Sequence, residues 1–264
     1  RPWRPSLTSR SVDDLSHGSS GCAICSLGHY WSGLYRTGLG WTAAPSSSER
    51  LRERRVAEDL RGGRMSQSQA EFFDSIADQW DSWEKPDISE RIARVIELAE
   101  IKPCMSIMDV GAGTGVLLPG LSDALGPQGR ILAIDVSSGM LGVAAKKGIP
   151  TNVRLLQSSL EDLPLELGGF DRVMCNAVFP HFPDWPLALG RIRGLLNDDG
   201  WLVISHPIGR EAVNRVHSES NSTVSEDSVP DNDLMRSLLS EAGFKEIRII
   251  DEPEFHMALG VKRN

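Results

Sequence analysis

A glycine-rich turn at residues 108–115, Met-Asp-Val-Gly-Ala-Gly-Thr-Gly, constrains the fold of this 264-residue chain more than any other feature. Residues 106–110 are apolar and strand-like, and residues 116–125 have a helical pattern that Gly126 and Pro127 end. Glycines between a strand and a helix let the backbone turn tightly and let a ligand approach it closely. The turn therefore predicts an α/β sheet with a ligand site at the carboxyl ends of its strands.

The segments on either side of this turn alternate between strand-like and helix-like patterns. Helix-like runs separate further apolar, strand-like runs at residues 130–136, 152–156, 170–176 and 201–205. This alternation predicts a Rossmann-like, doubly wound, seven-stranded α/β sheet that is mostly parallel. The last two strand-like runs, 245–250 and 256–261, have only a short link. Because a parallel crossover needs about a dozen residues, we expect an antiparallel C-terminal strand.

An acidic residue ends the strand that follows the turn. Asp135 closes the run Ile-Leu-Ala-Ile-Asp, 24 residues after Gly111 (135 − 111), where an acid is suited to binding ribose hydroxyls. The glycine spacing then separates two kinds of cofactor. A dinucleotide loop has the spacing G-x-G-x-x-G, whereas Gly111, Gly113 and Gly115 give G-x-G-x-G. This spacing disfavours a nicotinamide-dependent oxidoreductase.

With Asp109 in front of it, the loop resembles motif I of the class I S-adenosylmethionine-dependent methyltransferases, in the UbiE-like, type 11 small-molecule group. Residues 158–165 are similar to that family's adenine-side motif, and 170–176 and 195–202 to its fourth strand and the lead into its fifth. Residues 73–81, Phe-Asp-Ser-Ile-Ala-Asp-Gln-Trp-Asp, resemble the family's N-terminal helix, which covers the cofactor. The resemblance extends over about residues 70–264. It implies methyl transfer from S-adenosyl-L-methionine to a small-molecule acceptor.

The resemblance also implies a set of cofactor contacts. In the family, an acid at the place of Asp109 orients the loop and approaches the methionine amino group. Ser159 stands where an aspartate commonly accepts from the adenine amino group; a hydroxyl can also accept, and Glu161 and Asp162 are the alternatives. The main-chain amide of Leu160 is available to the adenine ring. The full expected set is Asp109, Gly111, Ala112, Gly113, Gly115, Asp135, Ser159, Leu160 and Asn176.

The loops after the fourth and fifth strands lie over the transferred methyl group in this fold, and they contain three of the six histidines. The candidate catalytic residues are His181 and His206, and the candidate acceptor contacts are Phe179, Arg210, Asn214 and His217. The last three are spaced so that a helix places them on one face. The histidines can act as a general base, bind a metal or a metal-bearing substrate, or be ordinary hydrogen-bonded loop residues. No metal is assigned. The polar run 218–233 is either a lid or a plain linker.

The composition changes near residue 65. Residues 1–64 carry ten Arg, no Lys and six acids, so +4, and the remaining residues carry −12 of the chain's total of −8. We expect residues 1–64 to be a disordered leader or an over-extended start in front of Met65, and residues 65–264 to form the methyltransferase domain. Within the leader, Cys22 and Cys25 form a single C-x-x-C pair, a weak signal for zinc that His17 and His29 accompany.

Composition excludes several other classes of protein. Four cysteines exclude a disulfide scaffold and are compatible with a reducing, cytoplasmic location. No apolar run approaches the roughly 18 residues of a membrane span, and a net acidic chain is a poor nucleic-acid binder.

A quinone precursor, another metabolite or a metal-bound thiol would fit as acceptor, and the sequence does not predict the oligomeric state. The alternatives are a catalytically inactive, cofactor-binding regulatory protein and, less favoured, the oxidoreductase.

Overall fold

The computed structural model describes residues 35–37, 40–42, 67–83, 86–220 and 222–263. The first two ranges are the short strands β1 (Tyr35–Thr37) and β2 (Gly40–Thr42), which pair antiparallel. The C-x-x-C pair and its neighbouring histidines lie outside the described residues, as does most of the expected leader.

Seven strands form the main sheet, in the spatial order β5-β4-β3-β6-β7-β9-β8. They are β3 (Ser106–Val110), β4 (Arg130–Asp135), β5 (Val153–Gln157), β6 (Phe170–Asn176), β7 (Leu196–His206), β8 (Phe244–Glu252) and β9 (Phe255–Lys262). Strands β3 to β7 pair in parallel, whereas β9 pairs antiparallel with both β7 and β8. The predicted mostly parallel sheet with an antiparallel C-terminal strand is therefore confirmed. The order reverses between β3 and β6, the point at which open α/β sheets bind ligands.

Helices cover both faces of this sheet. They are α1 (Gln67–Ile76), a 3₁₀ segment (Ala77–Trp83), α2 (Ile88–Leu98), α3 (Leu118–Leu125), α4 (Ser138–Lys146), α5 (Trp185–Leu195), α6 (Arg210–Glu219) and α7 (Asn232–Glu241). Because side chains alternate along a strand, Ile107 packs with α2 and α3 on one face, and Met108 packs with α5 and α7 on the other. None of the described helices has the length and apolar character needed to cross a membrane.

Three helices begin at side chains that cap their first turn. Ser137 accepts a hydrogen bond from Met140 N at the start of α4. Asp184 and Asp231 do the same at the starts of α5 and α7. Such caps satisfy amides that have no partner inside the helix, and each is worth about 1 kcal/mol. The α4 cap follows β4 directly, so it fixes that helix beside the carboxyl end of the strand.

Candidate active site

A pocket lies at the carboxyl ends of β3, β4 and β6 and encloses about 800 Å³ of empty space, part of it open to solvent. The turn after β3 forms its floor, and residues after β4, β5 and β6 form its sides. Two aromatic side chains of the N-terminal helical segment, Phe73 and Trp80, complete its wall. The pocket is therefore at the predicted edge of the sheet.

The glycine-rich turn needs two of its glycines for different reasons. Gly111 has φ +67°, and a Cβ there would lie 2.3 Å from the Val178 side chain, so only glycine fits. Gly113 has φ +54°, and no atom lies within 4 Å of the position that its Cβ would occupy. Gly111, Ala112 and Gly113 all line the pocket. Gly115 does not line the pocket and packs on Leu118.

Asp109 is an unpaired carboxyl group in the pocket wall. The residue is 1% exposed, and neither carboxyl oxygen has a hydrogen-bond partner among the described residues. Burial, with a smaller contribution from the charge of Asp135, raises its pKa from 3.8 to about 8. A buried, unpaired acid is costly unless a ligand satisfies it. Its place in the pocket therefore suits a ligand that carries a cationic donor such as an ammonium group.

Asp135 connects β4 to the glycine-rich turn. Its carboxylate accepts from Gly113 N and from Ser137 N, both at 2.8 Å. Burial raises the pKa of Asp135, and these backbone hydrogen bonds oppose that rise. Each carboxylate oxygen has a second lone pair, so the group can still accept from the hydroxyls of a sugar.

The remaining expected cofactor contacts and the two alternative adenine-side acids, Glu161 and Asp162, divide into two groups. Ser159, Leu160 and Asn176 lie in the pocket wall, and Asn176 Oδ1 accepts from Ser205 Oγ at 2.8 Å. The Ser159 hydroxyl donates to Asp162 Oδ2 at 3.0 Å. Neither acid lines the described pocket, so Ser159 and the main chain of Leu160 are the expected adenine-side groups that can touch a ligand there.

The N-terminal helical segment, residues 67–83, is fastened over the pocket by two carboxylates. Asp74 Oδ1 accepts from Ser137 Oγ at 2.6 Å and from Gly139 N at 2.7 Å. Asp81 Oδ1 accepts from Thr114 Oγ1 at 2.6 Å, on the glycine-rich turn itself. These bonds place the segment where the sequence resemblance implied a cover over the cofactor.

His181 lies in the pocket wall and is 6% exposed. Its Nδ1 is 2.7 Å from Asp227 Oδ2, and its ring makes an edge contact with Phe73 at a centroid distance of 5.3 Å. Asp227 was missed in the sequence, because it lies in a polar run without periodicity and no local signal distinguishes it from its neighbours.

His206 lies outside the pocket wall, which corrects its placement as a catalytic candidate. The β7–β9 register puts it opposite His256, and the ring centroids are 5.8 Å apart. Both side chains are completely buried, and no described residue hydrogen-bonds to their ring nitrogens. Burial first, and then His256, lower the pKa of His206 well below its ordinary value. His206 is therefore part of the core.

The four candidate acceptor contacts also lie outside the pocket wall. Phe179 is buried and stacks on Trp185 at 5.7 Å between ring centroids, so it belongs to the core. Arg210 donates to Asp251 Oδ2 at 3.0 Å. Asn214 and His217, on the predicted common face of α6, hydrogen-bond to the segment between α6 and α7. Within the part of the chain that the structure describes, no group of three or more His, Cys, Asp or Glu side chains is arranged to hold a metal.

A comparison with known protein families identifies the domain that contains this site. Residues 108–204, from the glycine-rich turn to β7, match the family described as a methyltransferase domain. Residues 108–204 are therefore a methyltransferase domain, and the chain resembles the class I S-adenosylmethionine-dependent methyltransferases.

The individual relatives of this chain are distant. Nocamycin O-methyltransferase of Saccharothrix syringae is 29% identical over 141 residues, covering 52% of this chain and 50% of that protein. Demethylmenaquinone methyltransferase of Lactococcus lactis is 30% identical over 151 residues, covering 52% of this chain and 58% of that protein. The chain thus spans about half the length of these curated relatives. A solved S-adenosylmethionine-dependent methyltransferase from Aquifex aeolicus superposes with a TM-score of 0.57 at 21% identity, covering 70% of this chain and 97% of that one, which shows the fold.

The pocket residues fit S-adenosylmethionine. The unpaired carboxyl of Asp109 suits the ammonium group of the methionine part, and Asp135 has lone pairs for the ribose. The open space beside Gly113 leaves room for the ligand against the backbone.

Proposed function

We propose that the chain transfers a methyl group from S-adenosyl-L-methionine to a small-molecule acceptor by in-line displacement at the sulfonium. The observation that carries this proposal is the unpaired, buried Asp109 in a pocket whose floor is a G-x-G-x-G turn. A carboxyl group in that position is costly to the empty protein, and the ammonium group of the cofactor offsets the cost.

The chain's own residues supply positioning and exclusion of water. The sulfonium is already an excellent leaving group, so holding donor and acceptor in line can provide much of the rate enhancement. Asp109 and Asp135 orient the two ends of the donor. Phe73 and Trp80, held in place by the carboxylates of the same helical segment, shield one side of the pocket from solvent.

A small-molecule acceptor is supported by the relatives and by charge. The two relatives described above are named as methyltransferases of nocamycin and of demethylmenaquinone. The chain's net charge of −8 disfavours nucleic acid as the acceptor. A cytoplasmic location and a functional unit at residues 65–264 belong to the same proposal. A chain that begins at Met65 is expected to retain cofactor binding and activity.

The test compares two arginine substitutions of glycines with positive φ and open surroundings. Gly113→Arg fills pocket space, whereas Gly148→Arg, at φ +88° on the surface, is the matched control. With a panel of phenols, enols, amines and thiols, the wild type and Gly148→Arg should release S-adenosylhomocysteine and Gly113→Arg should not. Gly113→Arg should also lose cofactor binding.

Two outcomes decide between this proposal and the alternatives. Folded wild-type protein that does not bind S-adenosylmethionine contradicts it. Binding without S-adenosylhomocysteine release on the whole panel favours an inactive, cofactor-binding regulatory protein instead.

A further inference from the structure

We propose that His181 and Asp227 form a general-base dyad that removes the proton from a hydroxyl acceptor as it attacks the methyl group. This rests on the proposed function and names the chemical class of its acceptor. Asp227 is a positioning residue, and His181 is the catalytic residue.

The hydrogen bond between the two side chains fixes the form of the imidazole. A carboxylate only accepts hydrogen bonds, so His181 Nδ1, at 2.7 Å from Asp227 Oδ2, must carry its proton. In the neutral ring, Nε2 is then the nitrogen with a lone pair. His181 lies in the pocket wall and its side chain is 6% exposed, so we infer that this lone pair faces the pocket.

Two residues of α6 hold the segment that carries Asp227. Asn214 Nδ2 donates to Val229 O at 3.1 Å, and Val229 N donates back to Asn214 Oδ1 at 2.7 Å. His217 Nδ1 donates to the main-chain oxygen of Asp227 at 2.9 Å. This double clamp sets the position of the Asp227 carboxylate. It also gives Asn214 and His217 a role other than touching the acceptor.

Contacts on the other side keep the His181 ring in one orientation. Phe73 meets it edge to face, and Gln69 Nε2 donates to the main-chain oxygen of His181 at 3.3 Å. The His217 ring lies 5.1 Å away, between centroids. Contacts with α1, with α6 and with the segment before α7 thus fix the position of His181. A general base needs such a fixed position, because it must lie within hydrogen-bond distance of the proton that it removes.

The surroundings of His181 indicate which hydroxyl compounds fit. Phe73, Trp80 and Phe182 share the pocket wall with it, so an acceptor there is in contact with aromatic surface. Imidazole takes a proton efficiently from an acidic hydroxyl and poorly from an aliphatic alcohol. The acceptor class is therefore a phenol or an enol with a flat, apolar body.

The transfer step balances without any further reactant. A lone pair of the acceptor oxygen forms the O–CH₃ bond while the bond between the methyl carbon and sulfur breaks, and its electron pair stays on sulfur. The positive charge of the sulfonium is lost as S-adenosylhomocysteine forms. The hydroxyl proton moves to His181 Nε2, and the imidazolium, paired with Asp227, releases it to solvent after the product leaves.

A spectroscopic experiment tests the dyad without an acceptor. Full-length protein labelled with ¹⁵N-histidine and saturated with S-adenosylhomocysteine is examined by NMR, with the His181 signals assigned by their loss in His181→Gln. We expect Nδ1–H and bare Nε2 in the wild type, loss of this preference in Asp227→Ala, and recovery in Asp227→Glu. Glu226→Ala, which removes the neighbouring exposed carboxylate, is the matched control and should leave the preference intact. An Nε2–H tautomer in the wild type, or no change in Asp227→Ala, overturns the dyad.

A kinetic experiment tests the role of the proton with 4-methylphenol and 4-nitrophenol as probes. His181→Gln should lower kcat for 4-methylphenol by about 10²–10⁴-fold with little change in KM. The loss should be smaller for 4-nitrophenol, which is largely ionised at pH 8. Equal losses for both probes, or none, overturn the proposal; where the wild type methylates neither probe, the tautomer result alone decides.

Cofactor binding separates the failure of this inference from the failure of the proposed function. Asp227 is not in the pocket wall, so Asp227→Ala should bind S-adenosylhomocysteine within about twofold of the wild type by calorimetry. Wild-type protein that does not bind it refutes the proposed function. Normal binding combined with the wrong His181 tautomer refutes only the dyad.

Discussion

Replacing Asp109 by Asn should stabilise the empty protein and weaken its binding of cofactor. Burial and Asp135 raise the pKa of Asp109 from 3.8 to about 8, so folding takes up a proton between those two pH values. The folded state is therefore destabilised progressively as pH rises through that window, by about 1.4 kcal/mol for each pH unit. At pH 7 this gives a cost of about 4 kcal/mol, which a side chain that does not ionise avoids.

Urea unfolding of both proteins at pH 5, 6, 7 and 8 measures this effect. The stability of Asp109→Asn should exceed that of the wild type by an amount that grows with pH and levels off above about pH 8. Asp123→Asn, which alters an exposed carboxyl on α3, is the control and should show no such trend. S-adenosylhomocysteine should bind Asp109→Asn at least about tenfold more weakly. A variant less stable than the wild type at pH 7, or a difference independent of pH, would refute the reasoning.

Three further substitutions test other parts of the account. Gly111→Ala should lower the free energy of unfolding by about 2 kcal/mol or more, because its Cβ would lie 2.3 Å from a valine side chain. The control Gly142→Ala, which has open space around it inside a helix, should raise the free energy of unfolding by about 0.5–1 kcal/mol. Urea unfolding measures both changes. His206→Leu should remove an acid sensitivity. Burial lowers the pKa of His206 well below 6.5, so the wild type loses stability from this group as the pH falls below 6.5, and equal losses of stability in both proteins would contradict this. Asp74→Ala should speed proteolysis of the N-terminal helical segment and weaken S-adenosylhomocysteine binding several-fold, while Asp78→Ala, at a side chain 87% exposed, should do neither.

Features that depend on short stretches of sequence could be predicted. The strand, turn and helix around the glycines are local, and the short final link forces the last two strands to be antiparallel. Because the carboxyl ends of parallel strands meet at one edge, residues at those ends, such as Asp109 and Asn176, come together whatever the loop lengths are. His181 was placed in the site by the same argument.

Features that depend on pairing between distant segments could not be predicted. His206 ends an apolar strand, and only the β7–β9 register puts His256 against it and encloses both rings. Phe179 is drawn into the core by stacking on Trp185, a contact that no periodicity shows. Asp227 reaches His181 because α6 clamps its segment, and that clamp joins residues whose types are common in any polar loop.

The central claim is that the pocket binds the methyl donor with Asp109 facing its ammonium group, and calorimetry tests it most directly. S-adenosylmethionine should bind the full-length protein with a stoichiometry of one. Titrations at pH 7 in two buffers of different ionisation enthalpy should show release of about 0.9 proton, because Asp109, with its pKa of about 8, is mostly protonated when the pocket is empty and ionises against the ligand. Absence of binding to well-folded protein, or binding with no proton release, would contradict the account.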